Sequence, residues 1–413
     1  MTDQDKEKTP YYLSDLIKVQ FNPIFYGGQF WYEKNGVLKP AEIPIRNFLL
    51  EELKDKFSSH KVKETLYALE AMCFVERINL LSEFISLENG IYDWTDDQLF
   101  DHEPSVKFLN QIPVQLNKEA QCPMITKFLN EVVKPEDKKA LLQFIGYCLI
   151  PDTRYEKALL LVGEGANGKS TLLKLLISLI GRDNITTLSL YDLSHRFRLA
   201  ELVGKLANIF PDLPYKRLED SSNFKAIVSG DPIMGERKYG KPFTFFPYAK
   251  LIFSANRMPS TKDISEAFFR RWLIIEFPNS FKGKERDTNL LNKLTTQEEL
   301  EGFVLLAIEG LKSLSQEGDF AESDGMKALK TEYEQMNNPV AAFIDERCLI
   351  DPNVSVGKTE LYRSFRDFAY EGKMETLGRN EFQRELIKQV PSVQEVRNPS
   401  RKWRGIALLI PCD

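Results

Sequence analysis

The stretch from Leu159 to Leu173, LLLVGEGANGKSTLL, constrains this chain more than any other. Gly163, Gly168, Lys169 and Ser170 satisfy G-x-x-x-x-G-K-[ST] without a gap. The apolar run Ala158 to Val162 reads as a buried strand, and Ser170 to Ile180 reads as a helix. Strand, glycine-rich turn and helix in that order make a cradle for a triphosphate. The glycines let backbone N–H groups curl round the phosphates, and the helix N-terminus adds a favourable dipole. Gly163, Glu164, Gly165, Ala166, Asn167, Gly168, Lys169, Ser170 and Thr171 are therefore the expected nucleotide-binding residues. Lys169 is expected to reach the β- and γ-phosphates, and the Ser170 hydroxyl to hold Mg²⁺. The competing reading is a glycine turn with no ligand. The strand and helix on either side speak against it.

A chain of 413 residues has room for two to four domains, and 43% hydrophobic residues can build their cores. The net charge of −5 argues against wholesale coating of nucleic acid, while leaving room for a local basic site. Five scattered cysteines without a C-x-x-C, and only three histidines, indicate neither a zinc site nor a disulfide framework. A reducing, cytoplasmic setting is the expectation. The polar opening MTDQDKEKTP reads as a disordered tail without a signal sequence. With no run of ~18 apolar residues, no membrane span is expected.

Between Phe21 and Lys39, aromatic and β-branched residues flank Asn35-Gly36, a hairpin signal. These aromatics fit either the core of a small sheet or an exposed platform for stacking bases. Helices are expected between Ile45 and Phe84, a turn at Asn89-Gly90, and helices over 125–133 and 135–150, the latter opened by Pro135. After the phosphate loop, residues 202–214 read as a strand ending at Asp212, a suitable acid for orienting Mg²⁺ and water. A helix over 218–228 carries Lys225. The segment 229–247 then reads as a β-hairpin with a cationic tip at Arg237, Lys238, Tyr239 and Lys241. The strand AKLIFSAN ends on Ser254 and Asn256; SEAFFRRW reads as a short helix ending in Arg270 and Arg271, before a last strand, LIIEF. Strands alternating with helices predict a parallel sheet with its ligand at the strands' carboxyl ends. Helices follow over 287–318, then a polar link over 319–338. Helices over 359–371 and 379–390 precede two strands around Asn398-Pro399-Ser400, a winged-helix pattern.

In this order, GEGANGKST, KLANIFPDLP, FKAIVSGDPIMGERKYGKP, LIFSAN and AFFRRWLIIEF resemble the motifs of superfamily 3 helicases within the AAA+ class, in their phage, plasmid and poxvirus primase-helicase branch. The resemblance implies an α/β fold: an AAA+ P-loop NTPase core, with an N-terminal α+β domain and a C-terminal winged-helix domain. It implies boundaries at 1–88, 89–150, 151–318 (core and helical cap), 319–338 (linker) and 339–413. It also implies an ATP-dependent replicative DNA helicase of a phage, plasmid or other mobile element. Such an enzyme moves 3′ to 5′ on single-stranded DNA as a hexameric ring, uses ATP and Mg²⁺, and acts at forked DNA beside a separate primase or polymerase. Lys169, Asp212, Asn256, Arg270 and Arg271 take the catalytic roles, with Ser170 and Asp212 on the metal. Arg271 is preferred as the finger that reaches the next subunit, and Arg270 as its structural companion. Lys225, Arg237, Lys238, Tyr239 and Lys241 become DNA contacts; a solvated charged turn is the competing reading.

Two departures stand out. The family often ends its acidic strand in two carboxylates, whereas this chain has Pro211-Asp212, with Glu219 or Asp220 as candidate helpers. Residues 1–85 are too few for a primase with its carboxylate triad. From Glu381 to Arg404, Arg384, Lys388, Arg397, Arg401, Lys402 and Arg404 outnumber Glu381, Glu385 and Glu395, which fits either duplex DNA or a protein partner. Two rival functions remain open. A P-loop kinase leaves the cationic hairpin and paired arginines unexplained. An ATP-dependent origin-binding initiator without processive unwinding is separable only by a strand-displacement assay.

Overall fold

The computed structural model describes residues 8–103, 108–238, 240–281, 287–372, 374, 376–397 and 401–409. Tyr239, most of the expected N-terminal tail and the Asn398-Pro399-Ser400 turn lie outside them. The chain divides into two compact units. The first holds residues up to Pro214, Asp220–Arg257 and Arg270–Met326; the second holds Tyr215–Glu219, Met258–Phe269 and the stretch from Lys327 onward.

The first unit opens with α1 (Pro10–Phe21), a meander of β1 (Ile24–Tyr26), β2 (Gln29–Lys34) and β3 (Val37–Pro40), and then α2 (Glu42–Leu53) and α3 (Ser59–Cys73). Asn35 and Gly36 join β2 to β3 with φ of 56° and 77°, as a tight hairpin of this twist requires. Tyr26, Phe30 and Trp31 are buried, and the Trp31 indole donates to the Tyr26 carbonyl at 3.0 Å. Those aromatics are core, not a stacking platform. A second meander follows, β4 (Phe84–Leu87), β5 (Gly90–Asp93) and β6 (Gln98–Phe100), and then α4 (Pro123–Val132) and α5 (Lys138–Tyr147). The expected start of α5 at Pro135 is displaced, because residues 135–137 form a turn.

The centre of the unit is a parallel sheet of five strands, in the order β13-β7-β12-β9-β8. These are β7 (Ala158–Val162), β8 (Ile185–Thr186), β9 (Ala207–Phe210), β12 (Lys250–Ala255) and β13 (Trp272–Glu276). Every residue of β7 and β12 is buried, as expected of parallel strands covered on both faces. α6 (Lys169–Ile180) buries Leu172, Leu173, Leu175, Leu176, Leu179 and Ile180. Between β8 and β9 lies a short α7 (Arg196–Leu199), and between β9 and β12 lie α8 (Ser222–Ser229) and the antiparallel hairpin β10 (Ile233–Glu236) and β11 (Pro242–Phe245). α8 begins later than the expected 218, because Leu218 is drawn into a bridge with Thr261 and the Asp220 carboxylate accepts from the Ser222 N–H. After a short α9 (Glu266–Phe269), β13 and α10 (Leu290–Leu294), the long α11 (Gln297–Glu317) lies along α5. A Cβ on Gly146 would fall 2.1 Å from the Ala307 carbonyl oxygen, and one on Gly310 2.3 Å from that of Leu142. Only glycine permits this approach of backbones.

The expected polar link at 319–338 is mostly helix: α12 covers Asp324–Asn337. In the second unit α13 (Pro339–Arg347), α14 (Lys358–Glu371) and α15 (Arg379–Gln389) share a core through Phe343, Phe365 and Phe382. β15 (Ser355–Gly357), β16 (Gln394–Val396) and β17 (Lys402–Arg404) form an antiparallel sheet ordered β15-β17-β16, and Trp403 joins the same core. β14 (Cys348–Leu349) pairs with β18 (Ala407–Leu408).

Candidate nucleotide and nucleic-acid sites

The parallel sheet brings three separate motifs to one end. β7 ends at Val162 and runs into the glycine loop, and its neighbour β12 aligns Ala255 with Val162, so Asn256 emerges beside Gly163. On the other side of β12, β9 ends at Phe210 and delivers Asp212. Asp212 has a φ of 60° and is exposed. Its N–H donates to the Ser254 hydroxyl at 3.1 Å, and the next N–H, of Leu213, donates to the Ser254 carbonyl at 2.7 Å. Buried Ser254 thus fixes the turn that aims Asp212. It was visible in the sequence only as a polar residue near a strand end.

The loop is held open by its own backbone. Ala166 and Gly168 have φ of 62° and 93°, and a Cβ on Gly168 would sit 2.7 Å from the Val132 side chain. The Asn167 amide donates to the Phe277 carbonyl at 3.3 Å, and the Phe281 N–H donates to the Ala166 carbonyl at 2.7 Å. The N-cap of α6 is Gly168, which has no side chain to cap it; the Lys169 N–H donates to the Asn167 side-chain oxygen at 3.5 Å. The Lys169 ammonium is folded back onto the Gly163 carbonyl at 2.5 Å, the Asn167 side-chain oxygen at 3.1 Å and the Glu164 carbonyl at 3.2 Å. Burial lowers its pKa, and the Asp212 carboxylate opposes that shift. Glu164, Gly165, Ala166 and Ser170 are exposed, and Thr171 is half-buried.

Glu219 is committed elsewhere, paired with Lys262, which lowers its pKa. Asp220 sits at the start of α8.

The two arginines differ sharply. Arg271 is only 8% exposed; it donates to the Ser229 hydroxyl at 2.7 Å and lies 3.3 Å from Glu156. Arg270 has a half-exposed side chain and pairs with the same Glu156 at 2.6 Å. Arg271 ties the start of β13 to the end of α8, and Arg270 is the one that faces outward. Glu156, which holds both, carried no motif that would have singled it out.

The hairpin also departs from expectation. Arg237 is half-buried: its Nη2 lies 3.5 Å from the Gly27 carbonyl, and Glu201 and Glu42 offset the effect of burial on its charge. Lys241 lies 4.9 Å over the Tyr67 ring of α3. The Gly28 turn packs on the Phe243 ring. Among the described tip cations, Lys238 and Lys241 are exposed and Arg237 is half-buried. Lys225 on α8 is half-buried.

Fold and site together define a mixed α/β protein, built on a parallel sheet whose carboxyl end gathers a glycine loop, an acid and an amide. Residues 17–134 match a family described as "D5 N terminal like", and residues 161–271 match a family of unknown function, DUF5906. Three viral proteins, each provisionally named a helicase, are similar to the chain. V13 of Sputnik virophage is 20% identical over 78% of this chain and 44% of its own length. L207/L206 of Acanthamoeba polyphaga mimivirus is 25% identical over 53% of this chain and 24% of its own length. 121R of Invertebrate iridescent virus 3 is 22% identical over 90% and 41%. The chain thus spans less than half the length of each of these relatives. Among solved structures, the apo A form of the NrS-1 C-terminal region superimposes with a TM-score of 0.54, at 13% identity, covering 98% of this chain and all of that one. That likeness concerns the fold. No helix among the described residues is long and apolar enough to cross a membrane.

Proposed function

We propose that this chain is the motor part of an ATP-dependent replicative DNA helicase of a virus or other mobile element. The observation that carries the proposal is the convergence of Lys169, Asp212 and Asn256 at one end of the parallel sheet. The strand order and the glycine loop support an AAA+ type of core. The α13–α15 bundle with its three-stranded antiparallel sheet supports a winged helix. The viral relatives support helicase activity.

ATP fits the loop, because the N-terminus of α6 behind Gly168 and a lysine held at the loop's mouth suit an anion. Mg²⁺ fits the exposed Ser170 hydroxyl and the exposed Asp212 carboxylate. When bound, the ion neutralises phosphate charge. Lys169 leaves its carbonyl partners for the phosphates. Asp212 and Asn256 orient the attacking water, and Arg270 of a neighbouring subunit stabilises charge on the transferred phosphoryl group. A ring, taken as a hexamer by resemblance, makes these sites composite. Lys238 and the hairpin grip one strand.

The test is ATP hydrolysis and unwinding of a forked duplex by the wild type, by Lys169→Ala and by Arg270→Ala. Each mutant is expected to be inactive alone, and mixing them should restore part of the ATPase activity through interfaces with an intact Lys169 and an intact Arg270. Mixed rings without activity would remove Arg270 from this role. ATP turnover without strand separation would favour the initiator reading.

A further inference from the structure

Two chain connections leave the carboxyl end of the parallel sheet and are joined to each other. One follows Asp212 and includes Tyr215–Glu219; the other follows Asn256 and includes Met258–Phe269, immediately before Arg270. The Leu218 N–H donates to the Ser260 carbonyl at 2.8 Å, and the Lys262 N–H donates to the Leu218 carbonyl at 3.0 Å. Leu218 and Thr261 thus form a parallel bridge, and the Lys262–Glu219 ion pair closes it. The joined segments are fastened to α12. The Thr261 N–H donates to the Asn337 side-chain oxygen at 2.7 Å, and the Asn337 amide donates to the Tyr333 carbonyl at 2.8 Å. Tyr333 is fully buried, with its ring 5.3 Å from Phe269 and 6.3 Å from Phe268.

We infer that Asn337 is a positioning residue for ATP hydrolysis, acting through Thr261 on the segment strung between Asn256 and Arg270. The inference rests on the ATPase reading above. Thr261 is 3% exposed, so its N–H needs a protein acceptor, and the Asn337 oxygen is that acceptor. One hydrogen bond near the middle of this segment limits the freedom of both its ends. Through the Leu218 bridge it also limits the connection that follows Asp212. The three residues so restrained are the ones assigned to water and transition-state charge. Their work is sensitive to displacements of about 1 Å. The phosphate loop follows a different strand and contains none of these segments. Loss of the fastening therefore harms the chemical step and spares nucleotide binding.

The experiment measures ATP turnover and nucleotide affinity in the full chain. Asn337→Ala should lower kcat about tenfold, as expected from one lost buried hydrogen bond and a loosened site, and leave nucleotide affinity within about twofold. Asn337→Asp keeps the acceptor oxygen and loses the amide donor, so it should regain most of kcat, at some cost in stability at a helix C-terminus. If Asn337→Ala does not fold, Asn337→Gln, which displaces the acceptor by one methylene, takes its place. A wild type lacking Lys169-dependent turnover overturns the ATPase reading and this inference with it. Turnover that is present but unchanged by Asn337→Ala, or kcat and affinity lost together without rescue by Asp, overturns the inference alone.

Discussion

The glycine loop and the cationic hairpin both stand out in the sequence, yet the structure treats them in opposite ways. At the loop, the positive φ angles and the folded-back Lys169 shape a turn at the N-terminus of α6 that leaves Glu164, Gly165, Ala166 and Ser170 exposed. At the hairpin, two of the cations are turned onto the fold: half-buried Arg237 lies 3.5 Å from the Gly27 carbonyl, and Lys241 lies on Tyr67. A loop whose glycines and lysine set its own conformation can be read from spacing, even though Phe277 and Phe281 also hold it. A charged turn cannot, because what covers it comes from residues some 170 to 210 positions away.

The largest effect that sharpens this contrast is at Lys169. Lys169→Ala should abolish measurable ATP turnover, with an unchanged circular-dichroism spectrum and melting temperature. Near-normal turnover would leave the loop no more functional than the hairpin. Next come the arginines. Arg270→Ala should lower turnover by about 10³-fold at little cost in stability. Arg271→Ala should instead destabilise the fold by about 2 kcal/mol, read as a lower denaturant midpoint, because it loses buried bonds to Ser229 and Glu156. At the hairpin, Lys238→Ala should weaken single-strand binding several-fold and lower the salt slope by about 0.7, while ATPase without DNA survives. Equal binding at all salt concentrations would make the tip an ordinary solvated turn. The smallest effect is at Tyr67. Tyr67→Ala frees Lys241 from the ring and should tighten single-strand binding by about two- to fivefold, the size of an exposed cation–π contact. Weaker binding instead would mean that Tyr67 itself holds the DNA.

Much of the architecture was legible. The buried run 158–162, the Asn35-Gly36 turn and the apolar periodicity of α6 and α14 are local signals, and they formed the expected elements. The placement of Asp212 and Asn256 beside the loop followed from reading the strands as parallel. What was missed depends on distant partners. Lys250 looks like a surface residue in sequence, but it is fully buried, with its ammonium on the Ile150 and Tyr248 carbonyls and its pKa pushed down to about 8 by burial. Glu156 precedes a strand without any motif, and only the fold shows it gathering Arg270 and Arg271. The polar stretch 319–338 read as a link because its charges hide a buried stripe, including Met326 and Tyr333.

The discontinuity of the second unit has a consequence for the order of folding. Tyr215–Glu219 and Met258–Phe269 leave the ribosome well before the residues from Lys327 onward with which they pack. Until α12 has been synthesised, Thr261 lacks its Asn337 acceptor, and Phe268 and Phe269 lack the Tyr333 ring. The parallel sheet can collapse earlier, since its strands all precede Phe277. Contacts of such long sequence separation form late. A nascent chain therefore spends part of its synthesis with Leu218, Phe268 and Phe269 uncovered beyond the strands of a finished sheet, and that interval is when it is most exposed to aggregation.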